Sequence, residues 1–232
     1  MSVPLFWLLR EEVDIAYEFD QALAQDAGLG VLNDHDLMTA WHHLRDTSGD
    51  LDTSWPAHFP HPVAGMPEWS FAPDFWAFGM YKFASRRFRD ALAQPGDVVQ
   101  FLPVDLVRAS AAARAQDYRW MRVLARQGGL DLARCECEIE ERPHAVTGKP
   151  VRSLNNIDLL ALRDNLVPRT DIFRLDECRT FILVTDAVAG RVLRAGCTGM
   201  EFSDPANRQG GKRIERYRTA DGIAERRVGF LD

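Results

Sequence analysis

The sequence predicts an α+β fold in which mixed sheets carry a few short helices, with two strand-helix-strand modules that echo each other. Three observations support that class. Apolar and polar side chains alternate at Tyr118–Leu124 and at Cys135–Glu141, the period of a half-buried strand. Two short helical patterns, Arg86–Gln94 and Ala187–Ala195, each follow a strand and a capping residue and each stop at Pro or Gly. The 232 residues are 46% apolar and 27% charged, with six Trp and thirteen Phe, which is a globular composition with ample core material.

Taken in order, Val3–Leu9 reads as a buried strand and Ile15–Phe19 as a second short one. Asp36–Arg45 reads as a helix, because Leu37, Ala40, Trp41 and Leu44 recur at spacings of three and four. Residues 46–75 hold Pro56, Pro60, Pro62, Pro67 and Pro73 and read as a long connection. Their aromatics (Trp55, Trp69, Phe71 and Phe75) imply that the connection lies packed on a core. Phe78–Ala84 is strand-like, and Ser85 caps the helix that Pro95-Gly96 closes. Asp97–Val104 is a strand; residues 105–115 are open between helix and loop. Leu159–Arg163, Asp171–Leu175, Thr180–Thr185 and Thr198–Phe202 are further strands. Beyond Pro205 a last hairpin and an irregular tail are equally compatible with the residues.

The two clearest segments echo each other about 100 positions apart. Phe83-Ala84-Ser85, a helix, Gly96, Val99 and Phe101 answer to Leu183-Val184-Thr185, a helix, Gly196, Met200 and Phe202. The chain accordingly divides into an acidic N-terminal lobe with its aromatic- and Pro-rich connection (1–72), a core (73–205) with modules near 78–104 and 180–203, and an Arg-rich C-terminal segment (206–232).

Charge follows this division. Residues 1–75 hold thirteen acids against Arg10 and Arg45, a net of -11 within a total of -6. The acids include Asp34, Asp36, Asp46, Asp50 and Asp52. Such a lobe repels nucleic acid and attracts a basic protein surface. Glu136, Glu138 and Glu140 share one face of their strand, which suits a solvated or partner-binding surface better than a tuned acid/base pair. The Arg-rich C-terminus could pair with the acids or bind phosphate, but the net charge and the lack of a known motif disfavour nucleic-acid binding.

Chemistry-bearing motifs are few. His35, His42, His43, His58 and His61 lie close in sequence, and with Asp34 and Asp36 they offer a metal site to a metal-dependent enzyme using residues 35–61. The spacing lacks H-E-x-x-H or a paired-Cys motif, and His42 and His43 diverge on a helix. No G-x-S-x-G, P-loop or G-x-G-x-x-G is present. The four cysteines read as reduced thiols, with Cys135 and Cys137 on one strand face. These residues imply no enzyme and no cofactor. No apolar run reaches the ~18 residues of a membrane helix, and Val3–Leu9 does not read as a secretory leader, so a cytoplasmic protein is expected.

The order Pro73-Asp74-Phe75, Phe83-Ala84-Ser85-Arg86-Arg87-Phe88-Arg89, Val99-Gln100-Phe101-Leu102-Pro103-Val104, Tyr118, Leu130-Asp131, Asp171-Ile172-Phe173-Arg174-Leu175, Ile182-Leu183-Val184-Thr185 and Gly199-Met200-Glu201-Phe202 resembles the eleventh immunity-protein family of bacterial polymorphic toxin systems. The similarity covers roughly residues 70–205. It implies a cytoplasmic antidote that binds and occludes a secreted toxin domain encoded by a neighbouring gene. Delivery in such systems is by contact-dependent or type VI routes, and the toxins are frequently nucleases with basic active faces. No catalytic residue is carried over; Phe101, Pro103, Phe173, Arg174 and Gly199 are expected to serve the fold. An antidote needs a Kd of about 1 nM or below, hence roughly 1,600 Å² of buried surface with a few central anchors. The acids are therefore expected at the rim. Trp55, Trp69 and Trp76 are candidate anchors whose alternative is core packing.

Overall fold

The computed structural model describes residues 6–11, 16, 20–23, 26, 28–48, 54–67, 71–143, 150–178, 180–207 and 213–228. In chain order the elements are β1 (Phe6–Glu11), β2 (Gly30–Val31), α1 (Asp34–Ser48), β3 (Val63–Gly65), β4 (Phe75–Phe78), β5 (Tyr81–Ala84), α2 (Arg86–Leu92), β6 (Val99–Leu102), β7 (Asp105–Arg108), α3 (Ala111–Ala115) and β8 (Arg119–Val123). Then follow β9 (Arg126–Gln127), β10 (Glu136–Pro143), β11 (Pro150–Leu159), β12 (Ile172–Leu175), β13 (Ile182–Thr185), α4 (Asp186–Arg194), β14 (Met200–Ser203), a 3-10 turn (Pro205–Asn207), β15 (Arg213–Thr219) and β16 (Gly222–Val228). This is an α+β fold of mixed sheets with short helices. The chain forms two units, one from Met1–Arg10, Ala125–Gly190 and Glu201–Asp232, the other from Glu11–Leu124 and Arg191–Met200.

The first unit is built on a seven-stranded sheet of order β16-β15-β14-β1-β13-β12-β9. Phe6, Trp7, Leu8 and Leu9 are all buried, so β1 is enclosed on both faces, as an unbroken apolar run demands of a central strand. It pairs antiparallel with β13, Phe6 opposite Thr185 and Leu9 opposite Ile182. Phe6, Leu8, Phe173, Leu175 and Leu183 fill one side with Leu130 and Leu160. At the head of α4, Asp186 accepts hydrogen bonds from Trp7 Nε1 and Arg218 Nε, each at 2.9 Å. β10 and β11 form a separate antiparallel ribbon.

The second unit holds an antiparallel sheet of order β4-β5-β8-β6 and a small sheet of order β2-β3-β7. Their core is aromatic: Trp55, Trp76, Phe83, Tyr118 and Trp120 are buried together with Leu37 of α1. Trp76 stacks on Phe83 with ring centroids 4.1 Å apart. Arg122 is buried among Trp41, Trp55 and Trp120, its guanidinium 5.3, 5.1 and 5.6 Å from the three rings. Burial pulls that guanidinium down to about 10. Both strand-helix-strand segments step across one intervening strand: β5-α2-β6 spans β8, and β13-α4-β14 spans β1.

Several local expectations are corrected, and alternatives left open by the sequence are resolved. Phe78–Ala84 is not one strand; the chain reverses at Gly79-Met80, so Phe78 pairs with Tyr81 in a hairpin. The 46–75 connection contains β3, held between β2 and β7. Residues 105–115 form β7 and then α3, capped by Ser110, whose side chain accepts from Ala113 N–H. The strand before Pro168 lies earlier than Leu159–Arg163: β11 pairs with β10, and past it only Leu162 bridges to Leu130. The last segment is a regular hairpin, because cross-strand pairs such as Arg216 with Glu225 complete its ladder. The strand expected at Ile15–Phe19 lies, apart from helical Ala16, outside the described residues. Among the described residues no helix is long and apolar enough to cross a membrane.

Candidate functional site

The acidic start of α1 is a rigid corner of the second unit. Asn33 precedes the helix, and its side chain fastens it to β3: Nδ2 donates to the His61 carbonyl at 3.0 Å, and Oδ1 accepts from Val63 N–H at 2.9 Å. Asp34 and Asp36 then fall in the first turn, where the helix dipole favours negative charge. The Asp34 carboxylate accepts a 2.6 Å hydrogen bond from Tyr81 Oη. Burial and that carboxylate both push the phenol up, so Tyr81 stays a donor. A Cβ on Gly30 would overlap the Phe78 ring, which requires glycine where β2 meets β4. Between Glu11 and Leu44 the sequence has eight acids and no Lys or Arg.

A second constellation, in the same unit, gathers around Asp74, which is 2% exposed. Its carboxylate accepts from Ser85 Oγ at 2.6 Å and from Thr198 N–H at 3.0 Å, with Arg87 Nη1 at 3.5 Å. Ser85 Oγ accepts in turn from Phe88 N–H, capping α2. Arg87 also donates to the Gly196 carbonyl, and Tyr118 donates to the Pro73 carbonyl. Gly199 has φ +89, and a Cβ there would overlap the Phe75 carbonyl oxygen. Pro73-Asp74-Phe75, Ser85, Tyr118 and Gly199 are thus one connected buried network, with exposed Arg87 at its edge. The Ser85 hydroxyl is occupied in capping and in bonding Asp74, a structural and not a nucleophilic arrangement.

A model of an immunity protein family, Imm11, matches residues 20–207. The chain belongs to the Imm11 family. No curated protein matches it. Membership gives the chain a toxin-neutralising immunity role in competition between bacteria, as a non-enzymatic inhibitor whose partner is a cognate toxin.

In this Imm11 protein the candidate site residues have different settings. Asp34 and Asp36 are exposed at the α1 corner. Asp46 lies within α1, its side chain not described, and Asp50, Asp52 and Trp69 lie outside the described residues. Trp55 is 3% exposed, with its N–H bonded to Gln100 Oε1 at 2.7 Å and its indole N–H to the Pro60 carbonyl at 2.9 Å. Trp76 is fully buried. These two indoles build the aromatic core of the Imm11 chain. Glu136, Glu138 and Glu140 are exposed on β10, and Glu140 accepts from Asn155 Nδ2 at 3.2 Å.

The histidines do not converge. His61 Nε2 lies 2.9 Å from Asp105 Oδ2, while His43 and His58 pack on Phe59. Among the described residues no group of three or more His, Cys, Asp or Glu is arranged to hold a metal ion. The Arg-rich hairpin is tied inward: Arg216 pairs with Asp204 at 2.5 Å and Arg218 with Asp186 at 2.9 Å. Sequence reasoning missed the roles of Tyr81 and Asp74. The partner of each is distant in sequence, and only the family-like spacing of Pro73-Asp74-Phe75 offered a signal.

Proposed function

We propose that this Imm11 protein acts in the cytoplasm and neutralises a secreted toxin domain encoded by a neighbouring gene. The toxin is a nuclease with a basic active face, delivered by a contact-dependent or type VI route, and the inhibitor occludes that face. Family membership over residues 20–207 carries the antidote role. The basic nature of the target is supported by the run from Glu11 to Leu44, acidic and without a single Lys or Arg. A nuclease must bind polyphosphate, so its active face is positive, and an acidic competitor for that face is steered to it. Asp34, Asp36, Asp46, Asp50 and Asp52, with Glu136, Glu138 and Glu140, are the toxin-facing acids in this reading, with no nucleic acid or membrane as partner.

Co-expression with the C-terminal domain of the neighbouring gene's product tests it. Restored growth together with a co-purifying one-to-one complex is the expected result. A toxic neighbour that is neither rescued nor bound would overturn the antidote reading.

A further inference from the structure

A tight inhibitor needs a few apolar anchors at the centre of its interface, ringed by polar groups. Trp55 and Trp76 are enclosed and cannot serve. Beside the acidic corner stand two other apolar side chains that do reach solvent: Leu32, 45% exposed, and Met80, 49% exposed. They belong to segments joined at two points. Phe78 packs its ring on Gly30, and Tyr81 donates to Asp34. Leu32 lies between Gly30 and Asp34, and Met80 lies between Phe78 and Tyr81, so the hairpin turn runs alongside residues 30–34.

This step is fixed before any partner arrives. Leu32 N–H donates to the Val63 carbonyl at 2.8 Å, and the Asn33 side chain holds the following residue. A preformed anchor loses little entropy on binding, and an unbranched Met beside it adapts to the opposing shape. Asp34 and Asp36 are exposed next to it. Of the nearby cations, burial disfavours the charge of the Lys82 amine, against the opposing pull of Glu11, and exposed Arg108 is taken up by Asp26 at 2.6 Å.

We propose that Leu32 and Met80 are the apolar centre of the toxin-docking surface, with Asp34 and Asp36 at its rim. The occupant is an apolar spot set within basic surface on the toxin domain. The assignment rests on the immunity reading above and adds the location and chemistry of the interface.

The test uses the full chain and the purified C-terminal domain of the neighbouring gene's product, with affinity and rates measured at low and high salt. Leu32→Ala combined with Met80→Ala weakens binding by about 100-fold or more, chiefly through faster dissociation. Val167→Ala, at another exposed apolar site, leaves it within about twofold. Asp34→Asn combined with Asp36→Asn slows association by about tenfold at low salt and flattens its salt dependence. Complex formation slows amide exchange at residues 30–36 and 79–82. Full affinity in the Leu32/Met80 variant, or protection confined to other segments, overturns the assignment while leaving the antidote role intact. Loss of self-association in that variant, with toxin affinity retained, makes the occupant a second copy and also overturns it. A wild-type chain that binds no toxin overturns the antidote reading and this one with it.

Discussion

Asp74 and Thr198, 124 positions apart, bond each other in both directions: Asp74 N–H donates to the Thr198 carbonyl at 2.9 Å, and Thr198 N–H donates to Asp74 Oδ2 at 3.0 Å. The carboxylate also holds Ser85, and through it the cap of α2. Removing it orphans the buried Ser85 hydroxyl and the Thr198 N–H at once. Asp74→Ala is expected to cost about 3–5 kcal/mol of unfolding free energy in urea titrations. Thr198→Val, which removes only the 3.4 Å hydroxyl contact, costs about 1 kcal/mol. Equal losses in the two variants would show that the carboxylate is not the hub.

Gly199 combines a left-handed backbone with a close approach, while Gly196, at φ +70, has nothing within 4 Å of where a Cβ would stand. Gly196→Ala therefore pays only for conformation, about 1 kcal/mol. Gly199→Ala must also push back the Phe75 carbonyl and is expected to cost about 3 kcal/mol or more. The two thermal midpoints separate strain from overlap, and a Gly199→Ala variant as stable as Gly196→Ala would refute the close approach.

Arg122 places its guanidinium over the rings of Trp41, Trp55 and Trp120 and donates a hydrogen bond of 3.3 Å to Gln100 Oε1. A lysine keeps the charge but loses the planar guanidinium set among the indoles. Arg122→Lys is expected to lower stability by about 1–2 kcal/mol and to shift tryptophan emission, since the rings lose their cover. An unchanged spectrum and midpoint would mean that charge alone is what the cage requires.

Burial lifts the Glu11 carboxyl to about 7, against the opposing pulls of the Ala77 N–H and the Lys82 charge. The unfolded chain binds that proton only below about 4.5. Between the two values the folded state holds more protons than the unfolded state. The contribution of this group to stability is therefore full below about 4.5 and falls as pH rises through 7. Glu11→Gln removes the titration. Unfolding free energies from urea titrations at about pH 5 and about pH 8 should differ less in the variant, by an amount on the order of 2 kcal/mol. An identical pH dependence in both chains would place the responsible group elsewhere.

What could be read before the structure follows the range of the interactions involved. Ser85 and α2 were legible because a cap and its helix are written within a few adjacent residues. β3 was not, since Val63–Gly65 is a strand only because β2 and β7 pair with it, and neither is its neighbour in sequence. The β15-β16 hairpin hid behind its charges: Arg216, Arg218 and Glu225 give no apolar alternation, and pairing across the strands decides the conformation. The acids of the candidate site were visible as composition. Its apolar residues were not, because a leucine before a helix and a methionine in a turn look like core residues until burial is known. The reverse holds for Trp55, which resembles an anchor in sequence and lies at 3% exposure in the core.

The place of β1 in the sheet order, with β13 on one side and β14 on the other, sets a schedule for the growing chain. Synthesis delivers the middle of the sheet early and both of its neighbours late. Until Ile182–Thr185 leaves the ribosome, Phe6–Leu9 is an apolar segment with two open hydrogen-bonding edges and no native partner. Fragments that begin after β1 would carry a sheet split into two half-sheets, and fragments that stop before β13 would carry an adhesive strand. The first unit is therefore made whole only after β13 and β14 have followed, and the second likewise waits for Arg191–Met200.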